Sequence, residues 1–213
     1  AWGGRRKEGL YSYLCSQYGL APKTLYETRH VSDPYQYIYS DFLSQKKNEI
    51  NPIFDMVLID EAQDFPPAFF ETIFYITKQP KRIIWAYDEF QSLNELKISD
   101  PETLFGINNA KKPNMNNECI NGQYDDGIDK DYMLPNSYRN PRKVLLYAHG
   151  LGLGLYSRNA KVPMQDRHSW EARGYVILEP EHKNTFEEND HIVVERPEKY
   201  SKNILERLVK EDP

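Results

Sequence analysis

The sequence predicts an α/β fold built on a parallel sheet, and three observations carry that expectation. A short apolar run, Met56 to Ile59, ends abruptly in the adjacent carboxylates Asp60 and Glu61. A second run, Arg82 to Ala86 (Arg-Ile-Ile-Trp-Ala), ends at Tyr87-Asp88-Glu89. Between them Pro66-Pro67 opens a stretch with Phe69, Phe70, Ile73, Phe74 and Ile76 at helical spacing. Strand, helix, strand is a βαβ pattern, which implies a right-handed parallel crossover. A continuous apolar run of this length reads as a strand buried on both faces of its sheet. In open α/β sheets, ligand chemistry sits just beyond the carboxyl ends of the strands, which is where both acidic clusters fall.

The remaining elements follow in order. Leu10 to Tyr18 forms a short amphipathic helix ended by Gly19 near a C′ position. Asp33 to Lys47 is a second helix, with Pro34 in its first turn and Tyr35, Ile38, Tyr39, Phe42 and Leu43 at helical spacing. Pro80 is expected to stop the helix that Pro66-Pro67 begins. Residues 106–133 turn polar, with Asn108-Asn109, Lys111-Lys112-Pro113, Asn116-Asn117 and Asp125-Asp126-Gly127, and read as a loop or insertion. The acids from Asp125 to Asp131 fail the spacing of a calcium loop. Val144 to His149 is an apolar helix interrupted by Gly150, Gly152 and Gly154. Those glycines follow a helix and lack a Lys-Ser/Thr ending, so a helix end explains them better than a phosphate loop. Gly174–Leu178 and His191–Glu195 read as strands, and Ser201–Lys210 as a closing helix. The domain division falls at 133/134.

Composition bounds the rest. The chain has 213 residues, a net charge of −5 and a pI near 5.6, so it lacks the basic excess of a dedicated nucleic-acid binder. A local track is still compatible with that balance, and the 16 tyrosines include potential stacking surfaces for bases. Cys15 and Cys119 suggest neither a disulfide framework nor a zinc site. No apolar run approaches the roughly 18 residues of a membrane span, and a cytoplasmic protein without a membrane partner is expected. Ala1 is not an initiator Met and no signal-like apolar core follows it, which predicts a piece of a longer protein.

An acid pair at a strand end suits phosphoanhydride chemistry. Mg²⁺ takes one or two carboxylates and keeps waters and substrate phosphates, and a second carboxylate positions or deprotonates the attacking water. Asp60 suits the metal and Glu61 the water. The competing structural role is a pair of acids favouring the next helix N-terminus, and Gln63 and Asp64 could cap that helix at Pro66.

Three motifs in order bear a family resemblance. Asp60-Glu61-Ala62-Gln63-Asp64 resembles motif II, the Walker B element, of UvrD/Rep-like superfamily 1 helicases. Asp88-Glu89-Phe90-Gln91-Ser92 resembles their motif III, and Asn136-Ser137-Tyr138-Arg139-Asn140-Pro141 their motif IV. The resemblance covers roughly residues 52 to 150. It implies a RecA-like P-loop NTPase sheet flanked by helices, incomplete here, with the start of a second RecA-like domain after residue 133. It implies ATP and Mg²⁺ as ligands, with Asp60 binding the metal and Glu61 as catalytic base. Gln91 would sense the γ-phosphate, Arg139 would serve as an arginine finger, and Tyr138 would stack on the nucleotide base. The implied partners are single-stranded or duplex DNA, with RNA less favoured, and the remainder of the parent helicase chain. Oligomeric state leaves no mark in the sequence.

Departures limit the resemblance. Tyr87 stands where motif III has Gly, and Asn94 where it has a DNA-stacking aromatic; Trp85 and Phe90 are nearby alternatives, although strand packing explains Trp85 better. Ser137 is an extra residue in motif IV. No Gly-x-x-x-x-Gly-Lys-Ser/Thr occurs in the chain, and Gly3-Gly4-Arg5-Arg6-Lys7 does not replace it. Hence the expectation that the isolated chain is inactive, with a helicase-like scaffold or interaction module, or a translocase of a restriction or defence system, as rival functions.

Overall fold

The computed structural model describes residues 9–24, 26–88, 99–137, 139–152, 166–187 and 190–201. Two compact units divide the chain, residues 1–124 and 125–213, so the boundary lies inside the polar stretch rather than at 133/134. Both expected motif residues Gln91 and Tyr138 lie outside the described residues, as do Glu89 to Ser92, Asn94, Gly154 and nearly all of the expected closing helix.

The first unit opens with helix α1 (Leu10–Gln17). Gly19 ends it at φ 68°, with Leu20 N–H donating to the Cys15 carbonyl at 2.8 Å and Gly19 N–H to that of Ser16 at 3.5 Å. This is a Schellman arrangement, and the left-handed residue that closes it is most easily a glycine. Helix α2 (Pro34–Lys46) starts at Asp33, whose carboxylate accepts the Gln36 N–H at 2.9 Å, with proline in the first turn.

Strand β1 (Phe54–Ile59), helix α3 (Pro67–Ile76) and strand β2 (Thr77–Trp85) form the expected βαβ unit. The strands pair in parallel, Met56 opposite Arg82 and Ile59 opposite Trp85. Two expectations are corrected here. Pro80 does not end α3: the helix ends at Ile76 and Pro80 lies within β2. Thr77 turns the chain, its Oγ1 donating to the Ile73 carbonyl at 2.7 Å, while Lys81 Nζ donates to the carbonyls of Phe74 and Thr77 at 2.7 and 2.6 Å. The register shift between Phe54 and Met56 lets the ladder skip past the proline, which has no N–H to give.

The second correction concerns burial. β1 is not covered on both faces. Ile59 and Ile83 are buried against α3, but Met56 is 51%, Leu58 70% and Ile84 57% exposed on the opposite face. The described sheet has only these two strands. The core of the unit therefore sits on one side, where Tyr11, Leu14, Ile38, Tyr39, Phe42, Phe70 and Ile73 meet. Short helix α4 (Pro101–Leu104), which the sequence did not announce, adds Leu104 and Phe105, and Phe105 lies edge-on to both Phe70 and Trp85. Trp85 is thus a packing residue.

In the second unit, helix α5 (Arg142–Gly152) begins earlier than expected and runs through Gly150 and Gly152. Helix α6 (Arg167–Ala172), also unannounced, is capped by Asp166, whose carboxylate accepts the Ser169 N–H at 2.7 Å. Strands β3 (Val176–Glu179) and β4 (Val193–Glu195) pair antiparallel, so they do not extend a parallel arrangement. Among the described residues, Trp170, Tyr175, Ile177 and Phe186 are its buried apolar side chains, and the buried Arg196 donates to the carbonyls of Arg173 and Pro135. The molecule is thus mixed α/β with one small parallel sheet. No helix among the described residues is long and apolar enough to cross a membrane.

Candidate functional site

The site begins where β1 leaves the core. Ile59 is the last buried residue of the strand, and its carbonyl accepts the Ala86 N–H at 2.8 Å. Ala62 N–H donates to the Ala86 carbonyl at 2.9 Å. These two bonds tie the exits of β1 and β2 together beyond the ends of the ladder. Ala62 is wholly buried as part of the core cluster, so the turn that follows is pressed onto the core.

Asp60 and Glu61, between those anchors, are both exposed. The Asp60 Oδ1 accepts the N–H of Glu61 at 3.0 Å. Glu61 itself is left-handed, at φ 51° and ψ 46°. That conformation costs a residue with a Cβ about 1 kcal/mol or more and is held only where its surroundings fix it. Here the fixing contacts are visible: Asp64 N–H closes a 3₁₀ turn, Ala62–Asp64, onto the Glu61 carbonyl at 3.0 Å. Gln63 fixes the side chain. Its Nε2 donates to Glu61 Oε2 at 2.7 Å, and its Oε1 accepts the backbone N–H of Asp88 at 3.0 Å. The two partners define the amide orientation, since only nitrogen can donate to a carboxylate and only oxygen can accept from an N–H.

The capping roles considered for these residues are not the ones they take. The residue before α3 is Pro66, with no side-chain cap, and the 3₁₀ turn after Glu61 has none either. The Ala68 N–H in the first turn of α3 is met instead by Gln36 Oε1 of α2 at 3.1 Å. Phe65 closes the turn by stacking on Phe69, with ring centroids 4.3 Å apart. Sequence reasoning left Gln63 divided between capping and function. The one available signal was its type: an amide, unlike an acid, can bridge a carboxylate and a backbone N–H. Gln36 carried no such signal, because nothing in its helix marks the neighbour it serves.

Of the expected site residues, the structure places Asp60 and Glu61 together at the exit of β1, where Gln63 joins them to Asp88 at the exit of β2, a residue to which the sequence assigned no role. Arg139 is exposed and belongs to the second unit. No group of three or more His, Cys, Asp or Glu side chains is placed to hold a metal among the described residues. A closed, all-protein metal cage is therefore not what this donor set provides. An exposed carboxylate at Asp60, with one oxygen engaged by the adjacent N–H, fits the looser demand of Mg²⁺, which retains water and phosphate ligands.

No protein-family model, curated protein or solved structure matches the chain.

Proposed function

We propose that this chain is part of the motor of an ATP-dependent superfamily 1 DNA helicase or translocase. In that reading it carries the back half of one RecA-like domain and the beginning of a second. The observation that supports it best is the βαβ exit itself: adjacent carboxylates beyond the carboxyl end of a parallel strand, one of them held by an amide that also grips the exit of the neighbouring strand. Asp60 would hold Mg²⁺, which supplies charge neutralisation on the β and γ phosphates when bound. Glu61 would take the proton of the attacking water. Its left-handed backbone and its bond to Gln63 hold the carboxylate in one place, which is what a base acting on a positioned water requires. Gln91 would read the γ-phosphate, Arg139 would meet the transferred phosphoryl group, and Tyr138 would stack on the base. Single-stranded DNA is the proposed track.

Without a phosphate-cradling loop and its Lys in this sequence, the chain alone is expected not to turn over ATP. The test uses Mn²⁺ as a paramagnetic stand-in for Mg²⁺, read by NMR with ATP present, alongside an ATPase assay with single-stranded DNA. Broadening centred on the amides of Asp60 and Glu61, and its loss in Asp60→Asn, is the expected result. Broadening elsewhere or nowhere overturns the site. Turnover that Glu61→Gln abolishes overturns the expected inactivity of the chain alone. One feature favours a second reading, an interaction module of similar fold: the exposed apolar face of Met56, Leu58 and Ile84. Such a module would show no Mn²⁺ response at Asp60.

A further inference from the structure

At the other end of α3, about 15 Å from its start by the rise of its ten residues, lies a cleft of about 430 Å³. Phe74, Tyr75 and four amides, Asn48, Asn108, Asn109 and Asn114, line it, and the Tyr75 hydroxyl donates to Asn114 Oδ1 at 3.4 Å. The volume falls in the range of small-molecule sites.

The cleft is built rather than incidental. Asn108 Oδ1 accepts the N–H groups of Ala110 and Lys112 at 2.9 and 3.1 Å, and Asn114 Nδ2 donates to the Phe105 carbonyl at 2.8 Å. Those bonds hold the loop from Gly106 to Asn114 closed, together with Asn114 N–H on the Gly106 carbonyl at 2.9 Å. Lys47 is the cation in the wall. Its Nζ is committed to Glu71 at 2.7 Å and to the Ile107 carbonyl at 2.8 Å. Glu71 neutralises Lys47, and the second nearby ammonium, Lys81 Nζ, lies 4.3 Å from the Phe74 ring centroid and is held by the carbonyls of Phe74 and Thr77, so neither is directed to a phosphate. Among the described residues, Asn108 Nδ2, Asn109 Oδ1 and Asn48 Nδ2 have no partner; Asn109 and Asn48 share one long contact of 3.5 Å.

Planar amide donors and acceptors beside two perpendicular aromatic rings, whose centroids lie 5.5 Å apart, match a flat heterocycle that carries in-plane donors and acceptors. One asparagine offers adenine a donor and an acceptor side by side; here Asn48 Nδ2 and Asn109 Oδ1, on side chains joined by their 3.5 Å contact, supply that donor and acceptor between them, and aromatic side chains stack unpaired bases. We infer that this cleft binds an unpaired purine base, adenine best. The base arrives either as a free nucleoside or within a single strand. Lys111 and Lys112, exposed on the same loop, would meet the backbone of a strand but not a nucleoside. The inference stands apart from the carboxylate site and survives if that reading fails.

The test is a ¹⁵N NMR titration of the side-chain amides of Asn48 and Asn109 with adenosine, an oligo-dA strand and a methyl hexoside. Adenosine is expected to shift both saturably at millimolar concentration, and Asn48→Ala and Asn109→Ala each to weaken binding about tenfold. Neither side chain holds the loop, so these variants keep the fold, unlike Asn108→Ala. Asn51→Ala, outside the cleft, is expected to change nothing. A strand that competes with adenosine, and loses affinity as salt rises, identifies single-stranded nucleic acid as the source; a strand that does not compete identifies the free nucleoside. Shifts that do not saturate with adenosine, equal response to the hexoside, or affinity unchanged in both variants would overturn the assignment.

Discussion

Gln63 is the residue whose removal tests the site most directly. Its amide makes two bonds, 2.7 Å to the Glu61 carboxylate and 3.0 Å to the Asp88 N–H. A neutral hydrogen bond is worth about 1 kcal/mol net and one to a charged group about 1.5–3 kcal/mol. Glu61 is exposed, so water replaces much of what its carboxylate loses, and the lower end of each range applies. Gln63→Ala should therefore cost about 1–2 kcal/mol. The local consequence is sharper than the global one. With the Gln63 oxygen gone, the Asp88 N–H should exchange with solvent about tenfold faster, the equivalent of about 1.4 kcal/mol. Gln63→Glu keeps the length but sets a second carboxylate against Glu61. At about 3 Å in a water-like dielectric that repulsion is roughly 1.4 kcal/mol, and it should shrink at about 1 M salt. Residue-resolved hydrogen exchange, with denaturant titration of the same samples, reads both effects. Asp88 protection unchanged in Gln63→Ala would refute the bridge, and Gln63→Glu as stable as the wild type would refute the contact with Glu61.

Two further outcomes follow from burial. Leu58 is 70% exposed, so Leu58→Ser should cost no more than about 0.5 kcal/mol and should lower binding of a hydrophobic dye; a loss above about 2 kcal/mol in thermal or denaturant unfolding would show that this face is covered. Burial pushes the hydroxyls of Tyr11 and Tyr39 well above their ordinary value of 10.0. These groups stay protonated when folded and ionise when unfolded, so their contribution is whole below pH 10 and is lost as pH rises above it. Each should cost about 1.4 kcal/mol per pH unit in that window. Cys15 and Tyr175 are raised by burial as well, so denaturant titrations across the window should show Tyr39→Phe with a slope smaller by about 1.4 kcal/mol per pH unit, and an unchanged slope would count against a buried Tyr39 hydroxyl.

How much of this was legible depends on what kind of signal each residue sends. The βαβ unit could be read because its boundaries are local: apolar runs that stop at acids, Pro67 in a first turn, Gly19 in a left-handed closure. Pro80 misled because its local meaning, a stop, is one of two. The other is a proline in a strand at a point where the register shifts, and that depends on a partner strand which no local pattern names. Helices α4 and α6 escaped because four and six residues are too short for a hydrophobic period to declare itself. The site divides in the same way. The carboxylates were visible as a spacing, whereas the left-handed Glu61 and the Gln63 bridge come from where β2 ends, a tertiary fact.

The largest difference between pattern and structure, the uncovered face of β1, carries information of its own. Phe54, Met56 and Leu58 alternate along one side of the strand, opposite Val57 and Ile59. An antiparallel or half-exposed strand would carry polar residues at such positions. Here the chain places large apolar groups there, with Ile84 beside Leu58 in the paired strand, so both strands are patterned for cover on two faces. The described residues supply it on one. A composition of that kind is matched to a sheet with helices on both sides and with more than two strands. Such a face takes either further elements of the same sheet or a docked partner, and the cost of Leu58→Ser separates a face that is already covered from one that is open.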